Sequence, residues 1–297
     1  MIGYFSHHTA ADIWNIPYLE SVFGSAITQL EMTAPAPIHI SVAARSDRSQ
    51  RKGQIIHLRG QAMPFGAVVS RNGKKVASPE LTFLDLACNL DIHRLILLGL
   101  QLCSHPPGDP SKALTTKQNL KNFLERTTGH HGHIKASRAL KFIENGSASI
   151  MESIVFMLLT LPHTLGGYGL YGAVFNYEFK LKDEVAMKPG RKRCFTDLYY
   201  KSSKVAIEYE SFAFHNNPTE LGKDAMRSAI IERRGVEVMH LSTIQLYNKD
   251  AFYNFTLNLA SRLGKRMQIR AQKFGEMHSA LRELLPKPAH NADSKEM

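Results

Sequence analysis

What this chain has little of narrows it first. Its three cysteines, Cys88, Cys103 and Cys194, are far apart and odd in number. That spacing excludes a small disulfide-stapled scaffold and a cysteine-based zinc ribbon. Buried thiols in a reducing compartment are the expectation. No stretch approaches the roughly 20 apolar residues of a membrane-spanning helix. The opening residues MIGYFSHHTAADIW lack the basic-then-apolar pattern of a secretory signal. A cytoplasmic protein with no membrane partner is therefore expected. Acids are scarce as well: 26 Asp and Glu face 37 Lys and Arg, leaving a net charge of +11. Such a surplus suits a polyanion partner, although it also suits a protein that is merely basic.

What is present is an ordinary globular composition, 43% apolar over 297 residues, enough for one large domain or two modest ones. The pattern predicts a short helix over 6–14, capped by Ser6 or Thr9 and ended by Pro17. Strands follow over 38–43, 54–58 and 67–70, with Arg71-Asn72-Gly73 as a turn. The basic loop between the first two strands, carrying Arg45, Arg48, Arg51 and Lys52, is either a solvated hairpin tip or a phosphate-contacting loop. Ser78 and Pro79 open an apolar helix expected to run to Cys103. Two more helices are expected over 116–127 and 135–144. The segment Gly129-His-His-Gly-His133 between them matches no single helix or strand face and reads as a loop rather than a ligand set.

Asn145-Gly146 marks a boundary. Beyond it come an apolar helix over 147–161, a strand over 174–181, and a basic loop with Lys188, Arg191, Lys192 and Arg193. Two strands lie within 195–215. A helix over 218–234, a strand over 236–241, a long helix over 251–285 and a polar tail from 286 complete the pattern. The fold class is α/β (α+β), a mixed sheet flanked by helices over 146–285, preceded by a smaller α+β region over 1–145.

The stretch FTDLYYKSSKVAIEYESFAFH carries most of the chemistry. Glu208 and Glu210 are two apart on a strand and share a face. A hairpin can bring Asp197 alongside them. Glu152, on the preceding apolar helix, is either a helix-dipole carboxylate or a fourth member of the set. Clustered carboxylates repel one another, and a hard divalent cation, Mg²⁺ or Mn²⁺, makes sense of them. The reaction that wants such a cluster is phosphodiester hydrolysis. Lys223 and Arg227, beside Asp224, would stabilise the transition state or sit on a solvated helix face. His215 would contact phosphate or water, or pack against Phe212 and Phe214.

At these residues the chain resembles the PD-(D/E)XK nuclease superfamily, and more narrowly its very-short-patch-repair-like branch. Ser149 and Glu152 match the upstream acid, Asp197 the strand aspartate, and Glu208-Tyr-Glu210 with His215 the second motif. Asp224 and Arg227 match the helix that follows, and Gly235 with residues 236–241 the last strand. The likeness covers about residues 147–245. The lysine usual after the second acid is absent, and Glu210 stands there. SHHTAADIW and VASPELTFLDLA resemble the middle region of AbiEi-type antitoxins, which usually follows a winged helix; here the chain starts after that place. The resemblance implies a restriction-endonuclease-like fold and metal-dependent cleavage of DNA; it leaves open whether a toxin partner exists and whether two copies pair. Its rival is a non-catalytic DNA-binding regulator that keeps the nuclease fold as a scaffold.

Overall fold

The computed structural model describes residues 3–18, 22–23, 36–48, 51–180, 193–210, 229 and 231–286. Most of the helix expected over 218–234 and nearly all of the tail from 286 lie outside them. Two mixed sheets organise an α+β structure. The first has strands β1 (Tyr4–Phe5), β2 (Ile38–Val42), β3 (Gln54–Leu58), β4 (Val68–Arg71) and β5 (Lys74–Ala77), in the order β3-β2-β1-β5-β4. Helix α1 (His7–Trp14) leaves β1, and its Trp14 indole N–H donates to the Ala77 carbonyl at 2.7 Å. Ser6 sits at the cap position of α1, but its hydroxyl makes no capping bond there.

The β4–β5 turn is legible from composition. Asn72 and Gly73 both have positive φ, 50° and 74°, as a two-residue type I′ hairpin turn requires. The basic loop is another matter. It is not a hairpin tip, because β2 and β3 pair in parallel, with Ile38 opposite Gln54 and Val42 opposite Leu58. The chain between them must cross over rather than fold back.

The apolar run after Ser78 is two helices, not one. Helix α2 (Pro79–Leu86) is capped by the Ser78 hydroxyl, and α3 (Ile92–Leu102) by the Asp91 carboxylate, which accepts from the Arg94 N–H at 2.9 Å. Asn89 and Asp91 favour turns and caps over helix interiors, and they outweigh the unbroken hydrophobicity. Helices α4 (Lys117–Glu125), α5 (His133–Leu140) and α6 (Ile150–Thr160) follow.

The second sheet, β6 (Ala173–Lys180), β7 (Arg193–Tyr200), β8 (Val205–Glu210) and β9 (Glu237–Ser242), keeps chain order. Its first two pairings are antiparallel and its last is parallel. The long helix expected over 251–285 is also divided. Short α7 (Thr243–Tyr247) leads into α8 (Lys249–Arg262), and α9 (Phe274–Arg282) stands apart. Gly264, at φ 64°, stops α8 with a Schellman closure: its N–H reaches Ser261 O and the Lys265 N–H reaches Ala260 O.

One apolar core runs through both halves, holding Leu95 and Leu98 of α3 together with Leu158 of α6 and Leu198 of β7. At the α3–α6 contact the Gln101 side-chain amide donates to Ser153 Oγ at 2.9 Å. Cys103 and Cys194 are buried, as expected, and burial pushes the Cys103 thiol up to about 12. Among the described residues no helix is long and apolar enough to cross a membrane.

Candidate functional site

The acids of the second sheet gather around a local break in its pleat. On β8, Val205, Ile207 and Tyr209 pack on the main core, while Ala206 joins a smaller cluster on the other side. Alternation therefore puts Glu208 and Glu210 together on that second side, as their spacing predicts. Strands β6 and β7 behave differently. Phe175 and Leu198 belong to the main core, yet Phe179 and Cys194 belong to the second cluster, with Tyr177 packed against it. Each strand changes face between these residues. The β6–β7 register pairs Phe175 with Leu198 and Tyr177 with Thr196, skipping Asn176 and Asp197. Asn176 has φ 42°, a left-handed conformation that non-glycine residues rarely hold.

The break frees two side chains from the pleat. The regular β7–β8 pairing ends at Leu198 and Ile207, and the Tyr209 N–H instead donates to Asp197 Oδ2 at 2.8 Å. The Asp197 carboxylate thus lies between strands rather than above them. The Asn176 side-chain amide donates to Gly146 O at 2.9 Å and to Glu152 Oε2 at 2.8 Å.

Glu152 comes from the first turn of α6. The Ser149 hydroxyl accepts from its N–H, and Glu152 Oε2 accepts from the Ala148 N–H at 2.9 Å, a reciprocal cap displaced by one residue. The helix-end role expected for Glu152 is therefore present. Glu152 is only 8% exposed. Burial, and then the nearby charge of Asp197, push its carboxyl up to about 7 against the pull of its hydrogen-bond donors. Glu208 is 4% exposed, and Glu210 Oε1 lies 2.7 Å from His240 Nδ1.

Among the described residues no three of these carboxylates bring oxygens within 4.8 Å of one another. His215, Lys223, Arg227 and Asp224 lie outside the described residues, as do Lys188, Arg191 and Lys192. Arg193 is held by Glu178 in a two-pronged pair, Nε–Oε1 at 2.9 Å and Nη2–Oε2 at 2.8 Å. Arg45, Arg48, Arg51 and Lys52 are exposed. In the His130-His131-Gly-His133 stretch, His131 Nδ1 meets Cys88 Sγ at 2.8 Å and His133 Nε2 meets Leu124 O at 3.0 Å.

The one three-ligand group among the described residues lies elsewhere, where helix α1 meets the first sheet. His7, His39 and His57 bring ring nitrogens within 4.8 Å of one another. Sequence reasoning passes over them because they lie in three different elements, far apart along the chain. Only the parallel β2–β3 pairing, which sets Ser41 opposite His57, unites them. The sole signal was a polar residue at an inward position of each strand.

Comparison with family models, with curated proteins and with solved structures finds no match to this chain.

Proposed function

We propose that the second sheet is a restriction-endonuclease-like site that hydrolyses nucleic-acid phosphodiesters, DNA first. The observation that carries this reading is the burial of Glu152 and Glu208 around the Asn176–Asp197 break. Carboxylates brought together in a dry site repel one another, as the charge of Asp197 beside Glu152 shows, and a shared cation relieves that repulsion. An all-oxygen donor set fits a hard divalent ion, so Asp197 and Glu208 would hold Mg²⁺ or Mn²⁺ with Glu152 and Glu210 in support. When bound, that ion would supply an activated water and neutralise charge on the phosphate.

The chain's own residues do the positioning. The Tyr209 N–H fixes one Asp197 oxygen, and the Asn176 amide and Ala148 N–H fix Glu152 Oε2. Exposed Arg45, Arg48, Arg51 and Lys52 would take phosphate contacts, which position the duplex without reading its sequence. Strand order and direction in β6–β9 suit the nuclease topology.

A second reading has its own support. Glu152 caps a helix, Asp197 replaces a backbone acceptor, and Glu210 pairs with His240, so each has structural work to do. On that basis the chain would be a non-catalytic DNA-binding regulator. Nicking of supercoiled DNA with Mg²⁺ or Mn²⁺ separates the two. Cleavage that disappears in Asp197→Ala and in Glu208→Ala supports the hydrolase. Salt-sensitive DNA binding without any cleavage by wild-type protein hands the function to the regulator.

A further inference from the structure

Across β1, β2 and β3 the face that helix α1 covers is polar where an apolar face is the norm. Tyr4, Ser41 and His57 lie in register across β1, β2 and β3, and His39 is two residues from Ser41 on the same face. Helix α1 begins directly over them: the Ser6 N–H donates to His39 O, and the His39 N–H donates to Thr9 Oγ1. Ser6 and Ser41 are fully buried, Asp85 of α2 is 1% exposed and His7 7%. Burying so many polar groups together costs stability unless they serve a bound partner or one another.

The partner these groups suit is a metal ion. We propose that His7, His39 and His57 form a binding site for a late first-row divalent metal, Zn²⁺ foremost. Their nitrogens already converge within 4.8 Å, and His39 Nδ1 lies 2.9 Å from His57 Nε2. Two nitrogens of a tetrahedral zinc site, each about 2.0–2.1 Å from the ion, stand roughly 3.3 Å apart. Loading therefore needs a small separation and the exchange of one N–H for the ion. His7 and His57 stack with ring centroids 3.7 Å apart, so one ring must also turn about χ2, a broad torsion for histidine.

The surroundings favour a neutral three-nitrogen site. Arg59 contacts Asp85, which balances the charges next to the rings. His7 Nδ1 faces Ser6 Oγ at 3.0 Å and Asp85 Oδ2 at 3.8 Å, the outer partners that orient metal-binding imidazoles. His39 and His57 are only partly buried, so a fourth position stays open to water. The neighbouring His8 ring lies 5.0 Å from His39, and its buried Nδ1 has no hydrogen-bond partner among the described residues.

Untagged full-length protein, stripped with a chelator, is titrated with Co²⁺ and then with Zn²⁺. One equivalent of Co²⁺ is expected to give the visible bands of a four-coordinate nitrogen and oxygen site, without thiolate charge transfer, and Zn²⁺ is expected to displace it. His39→Gln and His57→Gln should each weaken binding by more than the roughly 10–100-fold that losing an outer partner costs. Cys88→Ser and His131→Gln should leave binding unchanged, which separates this site from the Cys88–His131 pair. Should the ligand variants fail to fold, wild-type protein with one Co²⁺ must show three contact-shifted imidazole N–H resonances. Absence of saturable one-to-one uptake, thiolate bands, or uptake unaltered in folded His39→Gln or His57→Gln protein overturns the proposal.

Discussion

The two sheets bury opposite kinds of polar group. The first gathers imidazoles, and burial holds them without their protons: His7 is pushed down to about 2, His8 and His57 to about 4, and His39 is lowered. The second gathers carboxylates, and burial makes Glu152 keep its proton up to about 7. The same cause, the cost of charge in a dry interior, removes a proton in one place and retains it in another. The consequences for stability run in opposite directions. The histidine side is destabilised as pH falls below about 6.5, because the unfolded chain then takes up protons that the folded chain refuses. The acid side is destabilised as pH rises from about 4.5 to 7, because the folded chain then keeps a proton that the unfolded chain has lost.

The largest expected effect tests whether the two regions are separate at all. Leu98→Ala in α3 or Leu158→Ala in α6 should cost about 2–5 kcal/mol, as emptied core sites do. Unfolding followed by calorimetry and by probes on each sheet should remain one transition. Two well-separated transitions would mean that the shared core does not unite them. Glu152→Gln comes next. In metal-free protein it should be more stable than wild type at pH 8, by on the order of 3 kcal/mol. The gap should close towards pH 4.5, which denaturant titrations across that range would show; a pH-independent gap would remove Glu152 as the titrating group.

Asn176→Ala should cost roughly 1–3 kcal/mol, since it loses two hydrogen bonds and leaves a poor residue at positive φ. A neutral result would mean that the strand pair does not need the break. Smallest of these is His57→Gln, because that ring is only partly buried and solvent screens its charge; it should flatten the acid side of the metal-free stability profile between pH 6.5 and 4. An unchanged acid slope would place that titration elsewhere.

Much of the second sheet was legible. Alternation along residues 205–210 places Glu208 and Glu210 together, and Ser149 three residues before Glu152 announces a helix start. Asp197 was readable as a polar residue in an apolar strand, but its position between strands was not. That depends on a paired change of face, and nothing in the letters around Asn176 specifies a positive φ. The single long helix over 80–103 failed for a different reason. Hydrophobic periodicity cannot show a break when every turn is buried, so the capping preference of Asp91 decided it. The histidines were hidden by topology: residues 7, 39 and 57 meet only because two strands run the same way.

That shared direction also fixes the work of the basic loop. A hairpin connection can shrink to two residues, but this one must carry the chain from the far end of β2 back to the start of β3. The two paired segments step through five positions together, a return of about 13 Å at the usual rise per residue. Arg45, Arg48, Arg51 and Lys52 thus ride on a tether with a minimum length. Charge-reversing them would leave the strand pair intact, whereas trimming the tether below about five residues would pull β3, and His57 with it, out of alignment.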